Sequence, residues 1–180
     1  LDAAALALAM DRDVMAELLA VGPPVHVWYT PPGHVVAMRH WLPGGLRYRS
    51  QVGRTLGDRM ARALGATLKG GARRAILVGG DIPGLRAEHI RHALELMAPG
   101  RAVLGPARDG GFWLTGFHAP GVSPWVLTEV DYDGPDVLER TREALEAADM
   151  DVALADTLDD LDTTDDLRRA VAEDAFRPGG

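Results

Sequence analysis

The sequence predicts an α/β three-layer sandwich with a mostly parallel central sheet, and three observations carry that expectation. Short β-branched or apolar runs alternate with stretches of helical spacing along the whole of the 180 residues. One run, Ala75-Ile76-Leu77-Val78-Gly79, is apolar without interruption, as a strand covered on both faces requires. Apolar residues make up 47% of the chain and charged residues 25%, enough to close a sizeable core and too apolar for a chain that stays disordered.

The elements follow in order. Ala, Leu and Met recur at helical spacing over residues 3–20, and Gly22-Pro23-Pro24 stops that helix. Val25 to Thr30 is rich in β-branched and aromatic residues and reads as a strand closed by Pro31-Pro32-Gly33. A short amphipathic piece, Val35 to Leu42, leads through Pro43-Gly44-Gly45 to a weaker strand, Leu46 to Ser50. Thr55, with Asp58 three residues later, offers a helix cap, and Leu56, Met60 and Leu64 share one face of a helix that ends at Gly70-Gly71. After the strand at 75–79 come a helix at 86–97, a strand at 102–104, the loop Gly105 to Gly111 and a strand at 112–117. Pro135 then sits in the first turn of a helix running to about Ala148, a short strand covers 152–155, and Thr163 caps a last helix at about 164–175. No repeat, linker or low-complexity segment divides the chain, so a single domain spanning 1–180 is expected.

Composition excludes several function classes. With 19 basic and 26 acidic residues, the net charge of −7 disfavours a nucleic-acid partner, which needs a basic face. The absence of cysteine removes disulfides, thiolate metal sites and a cysteine nucleophile. No apolar run approaches the roughly 18 residues of a membrane span, so no membrane association and a cytoplasmic location are expected. No Gly-x-Ser-x-Gly elbow, Walker loop or His-Glu-x-x-His occurs. His89 and His92 lie three apart on one helix with no third ligand placed by spacing, which reads as a solvent-facing pair.

Ligands of open α/β sheets bind beyond the carboxyl ends of the strands, and three places there carry candidate chemistry. In Gly79-Gly80-Asp81-Ile82-Pro83, two glycines let backbone approach a substrate, Pro83 fixes the turn, and Asp81 projects a hard oxygen donor suited to Mg²⁺ or Mn²⁺. The same carboxylate fits a cap on the helix starting near Leu85, and spacing does not separate the two. In Gly105 to Trp113, Asp109-Gly110-Gly111 reads either as a hairpin turn or as a loop able to hug a sugar or nucleotide beside aromatic surface. Between Asp149 and Asp166 stand eight aspartates and no basic residue, most of them a solvated face. Asp165 and Asp166 suit a helix N-terminus, while Asp162 can point back toward the sheet edge.

Taken in order, Gly79-x-Asp81-x-Pro83, Leu104 to Ala107 with Asp109-Gly110-Gly111, Pro135-Asp136-Val137-Leu138 and Asp160-Leu161-Asp162-Thr163 resemble a bacterial GT-A-like family. Its members are often labelled arsenosugar-biosynthesis glycosyltransferases. Gln51 to Met60 looks like that family's Gln-x-Gly-x-x-Leu-Gly-x-Arg-Met segment, and the match runs roughly from Gln51 to Leu167. The wider nucleotide-diphospho-sugar transferase superfamily, Rossmann-like in its layers, includes the guanylyltransferases of the molybdenum cofactor and of phospholactate and the cytidylyltransferase that activates Kdo.

The resemblance implies that Asp81 and Asp162 hold a Mg²⁺ or Mn²⁺ ion on the donor phosphates. It further implies that Asp109 is the catalytic residue facing the acceptor or sugar, and that Gly79, Gly80, Pro83, Gly110 and Gly111 line the substrate. The implied activity is glycosyl transfer from a nucleotide sugar to a small-molecule acceptor. Nucleotidyl transfer from a nucleoside triphosphate is the close alternative, and a non-catalytic relative or an unrelated α/β domain with solvating acids are the others. Family members open with a strand and a loop of the type Ala-Lys-x-Pro-x-x-Gly-x-x-Lys-Thr-Arg. Nothing from Leu1 onward corresponds to it, so a GT-A-like domain without its first strand and phosphate loop is expected. Gly80 stands where Ser or Thr is common in the family.

Overall fold

The computed structural model describes residues 3–159. Asp162 and the helix expected at 164–175 lie outside the described residues.

The chain enters as helix α1 (Ala3–Val21), which ends where Gly22 takes a positive φ of 102° that residues with a Cβ avoid. Strands β1 (His26–Tyr29) and β2 (Arg47–Ser50) pair in parallel, joined by the short helix α2 (Val35–Trp41). Helix α3 (Leu56–Lys69) starts at the expected cap. The Thr55 hydroxyl accepts the Asp58 N–H at 3.1 Å, and the Asp58 carboxylate accepts the N–H groups of Arg54 and Thr55 at 3.1 and 3.3 Å. Those two backbone donors hold the Asp58 carboxyl below its ordinary pKa.

Strand β3 (Arg74–Val78), helix α4 (Ala87–Leu96), strands β4 (Arg101–Pro106) and β5 (Phe112–His118), a 3-10 helix (Pro124–Glu129), helix α5 (Val137–Ala147) and strand β6 (Asp151–Leu154) complete the described chain. Pro135 therefore lies two residues ahead of α5 rather than in its first turn, and the 3-10 helix is an element the helical and strand periodicities did not anticipate.

Four strands form one sheet in the order β3-β5-β4-β6. The α/β layering is as expected, whereas the mostly parallel sheet is met only in part. Strands β4 and β6 pair in parallel, as do β1 and β2, but β5 runs antiparallel to both β3 and β4. The reason is the connection: residues 107–111 turn the chain straight back from β4 into β5, and five residues cannot make the crossover that a parallel neighbour needs. Among the described residues no strand joins β3 to the separate β1-β2 pair.

The sheet is covered on both faces. On one side Val14 of α1, Ile82 and Leu85 of the turn after β3, Ile90 of α4 and Met97 just beyond it pack against Val103, Trp113 and Leu114. On the other, α3, the 3-10 helix and α5 bring Met60, Leu64, Leu127 and Leu145 against Ala75, Leu104 and Phe117. Alternate residues of β3 feed opposite cores, Ala75 and Leu77 one and Ile76 and Val78 the other, which is what its unbroken apolar run predicts. A bulge between Gly105 and Pro106 shifts the β4–β5 register and places Trp113 and Leu114 in the same core. The Trp113 ring occupies the space a side chain at position 105 would need: a Cβ there would stand 2.6 Å from the indole.

Helix α3 meets the 3-10 helix so closely that a Cβ on Gly57 would overlap the Leu127 carbonyl oxygen. Replacing Gly57 with Ala is expected to lower stability by about 1–3 kcal/mol, because backbone and not a flexible side chain must move. Thr55→Ala is expected to cost about 1 kcal/mol through the lost cap. Urea unfolding of both variants checks the pair.

Candidate active site

Strand directions determine which segments meet. Strand β5 is antiparallel to β3 and β4, and β6 is parallel to β4, so the carboxyl ends of β3, β4 and β6 lie along one edge of the sheet. Three segments leave that edge: Gly79 to Leu85 after β3, Ala107 to Gly111 after β4, and Ala155 to Asp159 after β6.

In the first, the Gly79 N–H still donates to the Trp113 carbonyl at 3.0 Å, which extends the β3–β5 ladder one step past the strand. The next residues divide by chemistry. Ile82 and Leu85, each 2% exposed, anchor the turn in the α1–α4 core and Pro83 is buried with them, while Asp81 is exposed. The open choice between cap and ligand is decided for the helix: α4 begins at Ala87, and other groups serve its N-terminus. His89 Nδ1 accepts the Arg86 N–H at 3.1 Å, and Glu17 Oε2 of α1 accepts the Ala87 N–H at 2.7 Å. Asp81 is left as an exposed carboxylate beyond a strand whose two faces pack against the two cores.

Sequence reasoning missed Asp11. Its carboxylate reaches the same glycine pair, where a Cβ on Gly80 would stand 2.7 Å from Asp11 Oδ1 and one on Gly79 would stand 3.1 Å from Asp81 Oδ1. Burial and, after it, the charge of Asp81 push the Asp11 carboxyl above its ordinary pKa. A signal was present: Asp11 falls on the helix stripe that holds Val14, Met15 and Leu18, and a charge on an apolar stripe is an anomaly.

The second segment is the hairpin connection that its Asp-Gly turn signal suggested. Asp109 is exposed, and its Oδ1 accepts the Gly111 N–H at 2.8 Å, an Asx turn that aims the carboxylate at its own loop. Gly110, with φ of 92°, presses on the Pro135 carbonyl and accepts the Leu138 N–H at 2.8 Å, so this glycine docks the loop on the start of α5. The third segment continues alongside β4. The N–H groups of Ala155 and Leu158 donate to the carbonyls of Leu104 and Pro106 at 2.8 and 3.1 Å, and Trp113 Nε1 donates to the Asp156 carbonyl at 2.9 Å. Asp159 then pairs with Arg108 at 3.1 Å, which ties the third segment to the second. His92 faces solvent, as its spacing suggested, and its Nδ1 lies 2.9 Å from Asp156.

The structure thus brings Asp81, the Asp109 loop and the segment from Ala155 to Asp159 to one sheet edge. Among the described residues no group of three or more His, Asp or Glu is placed to hold a metal ion. A separate apolar cavity of about 330 Å³ lies between Trp28 of β1, Ala66 and Lys69 of α3, and Trp125, and shares no lining residue with these segments. No helix among the described residues is long and apolar enough to cross a membrane.

Residues 14–134 match the family described as "Uncharacterized protein conserved in bacteria (DUF2064)". The chain belongs to this family. The DUF2064 match takes in both Gly79 to Pro83 and Asp109 to Gly111. Among solved structures, the chain is similar to the "putative nucleotide-diphospho-sugar transferase" of Desulfovibrio desulfuricans G20. The identity is 29% and the TM-score 0.83, over 91% of this chain and 72% of that one. It also resembles a Mycobacterium sp. strain JC1 homologue of Mycobacterium tuberculosis rv0371c, with 17% identity and a TM-score of 0.60 over 91% of this chain and 82% of that one. At that identity the likeness shows fold alone. No curated protein matches the chain. The fold of this DUF2064 protein is accordingly that of the nucleotide-diphospho-sugar transferases.

The two loop glycines separate under substitution. Gly110→Ala must displace the Pro135 carbonyl and adopt an unfavourable φ, whereas the new Cβ of Gly111→Ala would meet only Asp109 Oδ1, at 3.1 Å. The expected outcome is a clear loss of melting temperature, with faster amide exchange at Leu138, for Gly110→Ala and a small effect for Gly111→Ala.

Proposed function

We propose that the protein is a metal-dependent glycosyltransferase-like enzyme that uses a nucleotide-sugar donor and a small-molecule acceptor. The observation that supports this most is the edge just described, where an exposed aspartate follows a strand covered on both faces and stands beside a hairpin loop carrying a second exposed carboxylate. The likeness to a nucleotide-diphospho-sugar transferase fold agrees with it.

The residues fit a hard divalent cation. Asp81 offers carboxylate oxygen, and the side-chain-free Gly79 lets that carboxylate lie within 3.1 Å of where a Cβ would stand. Few protein ligands are needed, because Mg²⁺ and Mn²⁺ complete their octahedra with phosphate oxygens and water. Asp162 is proposed as a further carboxylate of this site. When bound, the ion would neutralise charge on the departing nucleoside diphosphate. The chain's own contribution is placement. The main chain at Asp81 is held by the buried Ile82, Pro83 and Leu85, so the backbone that carries the carboxylate is set before a donor arrives. Gly79 and Gly80, flanked by the Asp81 and Asp11 carboxylates, are proposed to meet donor phosphates through the cation. Asp109, in its Asx turn, is the group proposed to face the acceptor and take up a hydroxyl proton, with Gly111 as the backbone surface against the sugar.

Thermal melting with a panel of nucleotide sugars and nucleoside triphosphates, each with Mg²⁺ or Mn²⁺, tests the reading. A nucleotide sugar at about a hundred times its Kd is expected to add about 2.7 kcal/mol, a shift of several degrees, and Asp81→Asn is expected to remove its metal-dependent part. No shift with any nucleotide sugar and either metal would refute the proposal, and shifts confined to nucleoside triphosphates would point to nucleotidyl transfer.

A further inference from the structure

We propose that Asp11 of α1 is a second carboxylate of the cation site at Asp81, and that position 80 is without a side chain because the Asp11 carboxylate occupies that space. The inference rests on the reading of Asp81 as a metal ligand and extends the site to a residue seventy positions earlier in the chain.

Geometry carries it. Asp81 Oδ1 flanks Gly79 and Asp11 Oδ1 flanks Gly80, at 3.1 and 2.7 Å from where the missing Cβ atoms would be, so two acidic groups converge on adjacent peptide units from different elements. The convergence is built by the fold. Val14 of α1 shares a core with Ile82 and Leu85 of the Asp81 turn, Glu17 accepts the first N–H of α4, and Arg91 of α4 donates to the Ala20 carbonyl at 3.2 Å. These contacts fix α1 along the segment that carries Asp81.

Energetics points the same way. Among the described residues Asp11 has neither a hydrogen bond nor a basic partner, yet it is half-buried at the Gly79-Gly80 pair that Asp81 also flanks. An arrangement that repels itself in the empty protein is stabilised when a cation lies between the two groups. Two carboxylates with phosphate and water oxygens are also a donor set that Mg²⁺ and Mn²⁺ accept.

The test is titration of wild-type protein, D11N, D81N and G80A with Mn²⁺ alone, reading free Mn²⁺ by its EPR signal and melting temperature in parallel. The expected result is at least about tenfold weaker Mn²⁺ binding for D11N, together with a higher melting temperature in the absence of metal, because a like charge has been removed. A merely structural Asp11 would instead lower the melting temperature and leave Mn²⁺ binding unchanged. G80A keeps both carboxylates but displaces one, and is expected to weaken Mn²⁺ in the same direction; it carries the test alone if D11N does not fold. Wild-type affinity in D11N and G80A beside a loss in D81N would overturn the role of Asp11 and leave that of Asp81. Failure of the wild type to bind Mn²⁺ at millimolar concentration would overturn both.

Discussion

Two successive peptide units without side chains, Gly79 and Gly80 at the carboxyl end of β3, are the constraint on which the site depends. The Asp81 carboxylate occupies the space beside one and the Asp11 carboxylate the space beside the other, each closer to the absent Cβ than ordinary van der Waals contact allows. Everything around the pair acts to hold it. The Gly79 N–H remains in the sheet through Trp113, the turn is buried through Ile82 and Leu85, and α1 is locked to α4 through Glu17 and Arg91. A conformationally permissive dipeptide is thereby set between rigid neighbours, so that polar groups meet at a defined place on an apolar scaffold.

The same logic recurs along the sheet edge. Gly105 makes room for the Trp113 indole, whose N–H reaches the Asp156 carbonyl and steers the chain leaving β6. Gly110 makes room for the Pro135 carbonyl and docks the Asp109 loop on α5. Tight backbone approaches thus bind the loops to the sheet, and because β5 runs antiparallel between β3 and β4, the carboxyl ends of those two strands flank its start on one edge.

Much of this was legible in the sequence where the information is local. The Thr55–Asp58 cap, the two-faced β3 and the alternation of strands with helices follow from spacing, because a helix or strand exposes its period in its own residues. Asp81 and Asp109 stand out in the sequence because they follow apolar runs. The direction of β5 was available in the short Asp109-Gly110 turn but conflicts with a parallel sheet, and the chain obeys its connection length. Asp11 and the Gly110–Pro135 contact were not legible, since each depends on partners 25 to 70 residues away whose proximity exists only in the folded core. The 3-10 helix likewise takes its place from packing on Gly57 and Leu64 rather than from any period of its own.

The central claim is that a divalent cation and a nucleotide diphosphate meet at the carboxyl end of β3. A crystal structure of the protein with Mn²⁺ and the diphosphate of whichever nucleotide sugar stabilises it best tests this most directly, through the anomalous signal of the metal. The account predicts one strong peak about 2.1 Å from a carboxylate oxygen of Asp81, with phosphate oxygens on its far side. Mn²⁺ located elsewhere, or a nucleotide seated instead in the cavity between Trp28 and Trp125, would contradict it.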